Sequence, residues 1–132
     1  MPELVDDPTI GDDEVLWRRV SPEQIHSAEE SDPPPPPSLA FKSNVVKISV
    51  NRSSLTTVDA TLDGYPQHSL LGVTAGSVRA AGCRVAGQPV EGNAAHVLIL
   101  GSGPDGRLKP PEAKRIAAHA TWVVYRRGTL VN

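Results

Sequence analysis

Hydrophobic positions fall in short runs separated by glycine, proline and polar clusters. The clearest is Ala95-His96-Val97-Leu98-Ile99-Leu100, entered from Gly92-Asn93 and stopped by Gly101. An apolar run of that length between turn residues reads as a strand buried on both faces. Val15–Val20 alternates instead, setting Leu16, Arg18 and Val20 on one face and Val15, Trp17 and Arg19 on the other. Val45–Val50 alternates likewise, and Asn51-Arg52-Ser53-Ser54 reads as a polar bend after it. His68–Val73, Cys83–Ala86 and Thr121–Tyr125 complete the strands, the last expected beside Ala95–Leu100. Ser21-Pro22 predicts a short helix over Pro22–Ala28, Thr74 caps another ending at Gly82, and Pro110-Pro111-Glu112 opens a third through His119. Leu39–Lys42 resumes order after the prolines, Leu55–Leu62 fits helix or strand equally, and Asp63-Gly64-Tyr65-Pro66 is a turn.

The pattern predicts an α+β fold: a single small domain over residues 15–127 with a mixed or antiparallel sheet and two to three short helices. A chain of 132 residues with 39% hydrophobic content suits one such core. Residues 128–132 form a tail. Asp32–Ser38 holds five consecutive prolines, which exclude helix interior and central strand and leave a polyproline loop. Charge is uneven although the net is −2. Ten acids face two arginines in residues 1–32, against eleven basic and five acidic residues in the rest. Residues 1–14 are therefore expected to be an acidic, flexible extension, open to shielding a basic face.

Lone Cys83 excludes a disulfide framework and a cysteine-based zinc site, and reads as a small buried hydrophobe. No signal peptide is expected, since the first residues are acidic and lack an apolar stretch, and no run reaches the roughly 18 residues of a membrane helix. The expectation is a cytoplasmic protein, without a membrane partner. His26, His68, His96 and His119 are scattered, so no metal ligand set is expected. The basic residues are dispersed among Trp17, Phe41, Tyr65, Trp122 and Tyr125 with no nucleic-acid module, so nucleic acid is unlikely as a ligand. Gly101–Gly106 lacks the Lys-Ser/Thr of a phosphate-binding loop and reads as a connection.

His96 is the titratable group placed at the mouth of the buried strand. It is a candidate general base or anion ligand, or else a donor to a backbone carbonyl that locks the Gly92-Asn93 turn. One of Arg18 and Arg19 must face the core and needs a partner; left open to a cleft, its planar fork would take phosphate or carboxylate. Ser49 and Asn51 end the second strand beside Ser53 and Ser54. Arginine, serine and histidine from three strands suffice to line a small pocket, so Arg19, Ser49 and His96 are the catalytic candidates. Arg18, Asn51 and Asn93 are the accompanying ligand-binding candidates.

Leu16-Trp17-Arg18-Arg19-Val20-Ser21-Pro22, Ala40-Phe41 leading to Ile48-Ser49-Val50-Asn51, and Gly92-Asn93-Ala94-Ala95-His96-Val97-Leu98-Ile99 together resemble a set of small bacterial proteins of unknown function. There the last segment usually reads Asn-Pro-Ala-His, where Ala94 stands here. The chain also resembles ADP-ribosyltransferase-like domains, including RES-type toxins, in having an arginine on a first strand in a Leu-Trp-Arg context and a serine on a later one. That likeness implies Arg18 or Arg19 and Ser49 as site residues; Glu91, which precedes a turn, does not match the third, acidic position. No nucleophile–base spacing is legible. With the acidic N-terminus and Pro33–Pro37, this leads to the expectation of a non-catalytic protein-interaction or regulatory module with a protein partner and no cofactor. The alternative is an NAD- or nucleotide-handling ADP-ribosyltransferase-like enzyme or toxin.

Overall fold

Alternation decides the sheet. The computed structural model describes residues 5–24, 34–42 and 48–126. Among these residues six strands form one antiparallel sheet: β1 Val15–Val20, β2 Ile48–Arg52, β3 Ser69–Thr74, β4 Arg84–Gly87, β5 His96–Leu100 and β6 Thr121–Val124, in the order β4-β5-β2-β1-β3-β6. The α-helices among the described residues are α1 Val58–Leu62, α2 Ala75–Ala80 and α3 Pro110–His119. The α+β reading of a single small domain therefore holds, with the sheet wholly antiparallel between neighbours.

One face of the sheet is the main core. Leu16 and Val20 from β1, Ile48 and Val50 from β2, and Val97 and Ile99 from β5 pack with Val78 of α2 and Ala113, Ile116 and Ala117 of α3. Phe41 from a short 3-10 turn joins them. Cys83 is buried there as expected, and burial pushes its thiol up to about 12.

The expected neighbour of β5 was wrong. It lies between β4 and β2, while β6 sits at the far edge against β3, with Leu71 opposite Trp122 and Gly72 opposite Thr121. The chain of antiparallel pairings makes β5 and β6 parallel, so a crossover must join them. Four strand spacings are about 19 Å, and the segment between β5 and β6, which contains α3, makes that crossover. Apolar runs of similar character do not state which runs pair.

Local differences are smaller. The helix expected over Pro22–Ala28 is a 3-10 turn at Pro22–Gln24, and the rest of that span lies outside the described residues. The second strand starts at Ile48 among the described residues and runs through Arg52, so Asn51 and Arg52 belong to strand rather than bend. Val45–Lys47, Pro33 and the C-terminal tail fall outside the described residues. The ambiguous Leu55–Leu62 resolves as α1, where the Thr57 hydroxyl caps the Ala60 amide. Thr74 caps α2 as its sequence implied.

Residues 5–14, set aside as a flexible extension, pack onto the domain. Ile10 is fully buried in the core. Asp7 N donates to the Val85 carbonyl and Val85 N donates to Asp6 Oδ1, so this strap covers the outer edge of β4. The proline segment is also held against the domain: Pro34 is buried and its carbonyl accepts from Trp122 Nε1 at 2.8 Å. At Gly101 an added Cβ would stand 2.4 Å from Leu108 Cα and 2.6 Å from Glu112 Oε1, so that turn admits only glycine. Glu112 holds the same corner by accepting from Ser102 and from Lys109 N, so the Gly101–Gly106 loop is a fixed connection.

Candidate functional site

The site begins where the sheet parts. β1 and β3 pair along six residues, whereas β1 and β2 are matched only at Leu16–Arg52 and Trp17–Asn51. Beyond Trp17 the two strands no longer form a ladder. A pocket of about 120 Å³ opens there, lined by Trp17, Arg18, Arg19, Ser49, Val50, Asn51, Asn93 and His96. All six residues singled out from the sequence lie in this lining. Alternation puts Trp17, Arg19, Ser49, Asn51 and His96 on the face opposite the core, through the registers Trp17–Asn51 and Asn51–His96.

Arg18 is the inward member of the arginine pair, on the face of buried Leu16 and Val20. Its Nε donates to the Ala40 carbonyl at 2.8 Å and its Nη1 to the Ser49 carbonyl at 3.0 Å. The guanidinium thus bridges β1 to β2 where the ladder is missing. Among the described residues no carboxylate pairs with it. Burial, and then the neighbouring Arg19 charge, lower its pKa to about 10, so it stays protonated at neutral pH. Arg19 donates from Nη1 to the Thr61 carbonyl in α1 at 3.0 Å, and its guanidinium lies 4.1 Å from the Tyr65 ring centre. It too is held without a carboxylate among the described residues.

A chain of side chains fixes the opposite wall. Asn51 Nδ2 donates to Thr61 Oγ1 at 3.1 Å, and Asn93 Nδ2 donates to Asn51 Oδ1 at 3.0 Å. Asn93 Oδ1 then accepts from Ala95 N at 3.1 Å. Asn51 is almost fully buried, so this network satisfies an amide that would otherwise be costly to desolvate. The turn before β5 is held by this Asn93 side chain, by the Val90–Asn93 bridge, and by Gly92, whose φ of +82° favours glycine. His96 adds to the same segment, its amide donating to the Asn93 carbonyl at 3.4 Å and its carbonyl accepting from Gln88 N at 3.0 Å.

The His96 ring reaches two groups, one of them a backbone carbonyl. Nδ1 lies 3.0 Å from the Gln88 carbonyl oxygen and Nε2 lies 3.2 Å from Ser49 Oγ. A carbonyl can only accept, so in the neutral ring Nδ1 carries the hydrogen and Nε2 presents its lone pair to the serine hydroxyl. Ser49 and His96 are far apart in sequence, so both stood as candidates there without their direct contact being legible. Sequence reasoning also missed Trp17, Thr61 and Gln88. The Gln88 carbonyl left no side-chain signal to find, because any residue at that position supplies one.

Among the described residues, no three His, Cys, Asp or Glu side chains gather to hold a metal. Among the same residues, no helix is long and apolar enough to cross a membrane. Compared with family profiles, curated proteins and solved structures, the chain shows no match.

Proposed function

We propose that the protein binds a small anionic group, best a phosphate ester, in the cleft between β1 and β2. One observation carries this reading: the lining holds two arginines and no carboxylate. A buried or half-buried guanidinium beside a second one is normally matched by an acid of the same chain. Here the described residues offer it only carbonyls and an aromatic face, which leaves charge for a ligand to neutralise. At about 120 Å³ the pocket is smaller than the roughly 300–1,000 Å³ of sites that engulf a whole cofactor. That size suits a phosphoryl group rather than a whole nucleotide.

The ADP-ribosyltransferase-like reading draws on the same residues, since Arg19 and Ser49 line one pocket and a diphosphate would meet the arginines. It lacks an acidic group in the lining to stabilise the cation formed at the ribose. A protein-interaction role has lost part of its motivation, because the acidic strap and Pro34 are engaged within the chain. Titration with phenyl phosphate, followed by NMR amide shifts and calorimetry, tests the leading reading. Binding should map to Arg19, Ser49 and His96, and Arg19→Ala should weaken it about 10- to 100-fold, as for loss of a charged hydrogen bond worth about 1.5–3 kcal/mol. Binding that maps elsewhere, or is untouched by that substitution, overturns it. NAD⁺ turnover by the wild type would move the assignment to ADP-ribosyl transfer.

A further inference from the structure

We infer that Ser49 is a nucleophile and His96 its base, so that the pocket cleaves a phosphate ester rather than merely holding it. The inference rests on the anion reading above and adds a reaction to it.

The geometry has three parts. First, the Gln88 carbonyl fixes the imidazole so that the Nε2 lone pair faces Ser49 Oγ at 3.2 Å. This is the arrangement in which a histidine takes the proton of an attacking hydroxyl, with its remote nitrogen oriented by a third group. Second, both residues stand on the sheet: Ser49 lies opposite Leu98 and His96 opposite Asn51, so the two side chains are diagonal neighbours on one face of the β2–β5 ladder. A pair built on paired strands is held more firmly than one on loops. Third, Ser49 and His96 line one pocket with Arg19 on their own face of the sheet and with Arg18, whose guanidinium sits on the core face against the Ser49 carbonyl, so positive charge on both sides would oppose the negative charge on the non-bridging oxygens of a phosphoryl group. A purely structural serine–histidine contact explains the hydrogen bond but not the two acid-free arginines beside it.

For a phosphate diester the step balances as follows. Ser49 Oγ forms a bond to phosphorus while the bond from phosphorus to one ester oxygen breaks. The serine proton passes to His96 Nε2 and from there to the departing alkoxide, which leaves as an alcohol. Water then attacks the phosphoserine, the bond from phosphorus to Oγ breaks, and His96 relays a proton back to Ser49. The products are an alcohol and a phosphate monoester, with no redox partner required.

Bis(p-nitrophenyl) phosphate is the probe. Rapid mixing with the wild-type protein should release a burst of p-nitrophenol equal to the protein present. Intact-mass analysis of the quenched protein should show one p-nitrophenyl phosphoryl adduct, mapped by peptide mass to Ser49. Ser49→Ala should abolish burst and adduct, and His96→Gln should slow the burst about 100-fold or more, as for loss of a general base, with melting temperatures near the wild type. An adduct on another residue, or turnover that persists in Ser49→Ala, overturns the inference. Phenyl phosphate binding by the wild type without any burst or adduct also overturns it while leaving the anion reading intact. Cleavage without measurable phenyl phosphate binding would instead sink the anion reading and keep the nucleophile.

Discussion

Two arginine-bearing regions of this molecule treat positive charge in opposite ways. In the strap, Arg79 meets Asp6 at 3.1 Å and Asp12 at 2.6 Å, and Arg52 meets Glu14 at 3.1 Å. In the pocket, Arg18 and Arg19 meet carbonyl oxygens and a tyrosine ring instead. Pairing within the chain neutralises charge and ties a terminal segment to the domain, whereas a cation satisfied by neutral acceptors keeps its charge unneutralised. Asp6, Asp12 and Glu14 of the acid-rich N-terminal region thus serve the strap.

The strap should be the larger contributor to stability. Ile10→Ala empties a site with no solvent exposure and is expected to cost about 2–5 kcal/mol; urea unfolding measures this, and a loss below 1 kcal/mol would mean that the strap does not belong to the folded unit. Next in size is Arg18→Met. It leaves the Ala40 and Ser49 carbonyls without their donor, and about 1–3 kcal/mol should be lost in the same measurement. A gain in stability instead would say that Arg18 is retained against its folding cost, which would strengthen its assignment to ligand binding.

The smallest effect concerns acid. Burial opposes ionisation of Glu14, but hydrogen bonds from Ser54 and Arg52 outweigh it and hold its carboxyl below the usual value. Glu112 behaves alike: burial is outweighed by donors from Ser102 and Lys109. Groups with depressed folded values contribute stability above their ordinary pKa of 4.5 and lose it as pH falls through the folded one. The melting temperature should therefore hold above about pH 5 and drop below it. Glu14→Gln should lower stability at pH 7 by about 1–2 kcal/mol and make the acid drop shallower. An unchanged acid profile in that variant would remove Glu14 from the account.

Much of the site was legible because its residue types are unusual where they stand. Two arginines inside an alternating strand cannot both face solvent, and a histidine opening an apolar run is out of place unless something meets it. Hence Arg18, Arg19 and His96 drew attention without any contact being known. Thr61 did not, because α1 is short and its sequence fitted strand as well as helix. The strap was misjudged for a similar reason: Ile10 is a single apolar residue among acids, too sparse a signal to predict that it enters the core.

By itself the sequence determined the local elements: the alternating strands, the threonine cap of α2, the proline start of α3 and the turn at Gly92. These depend on backbone preferences and periodicities within a few residues. Only the tertiary structure decided that β6 joins β3 rather than β5, that β1 and β2 part after Trp17, and that the Ser49 hydroxyl meets His96 Nε2. Those outcomes depend on which apolar faces close over one another across long loops. A strand's own residues state that it is buried, but its partners are set by the packing of the whole core.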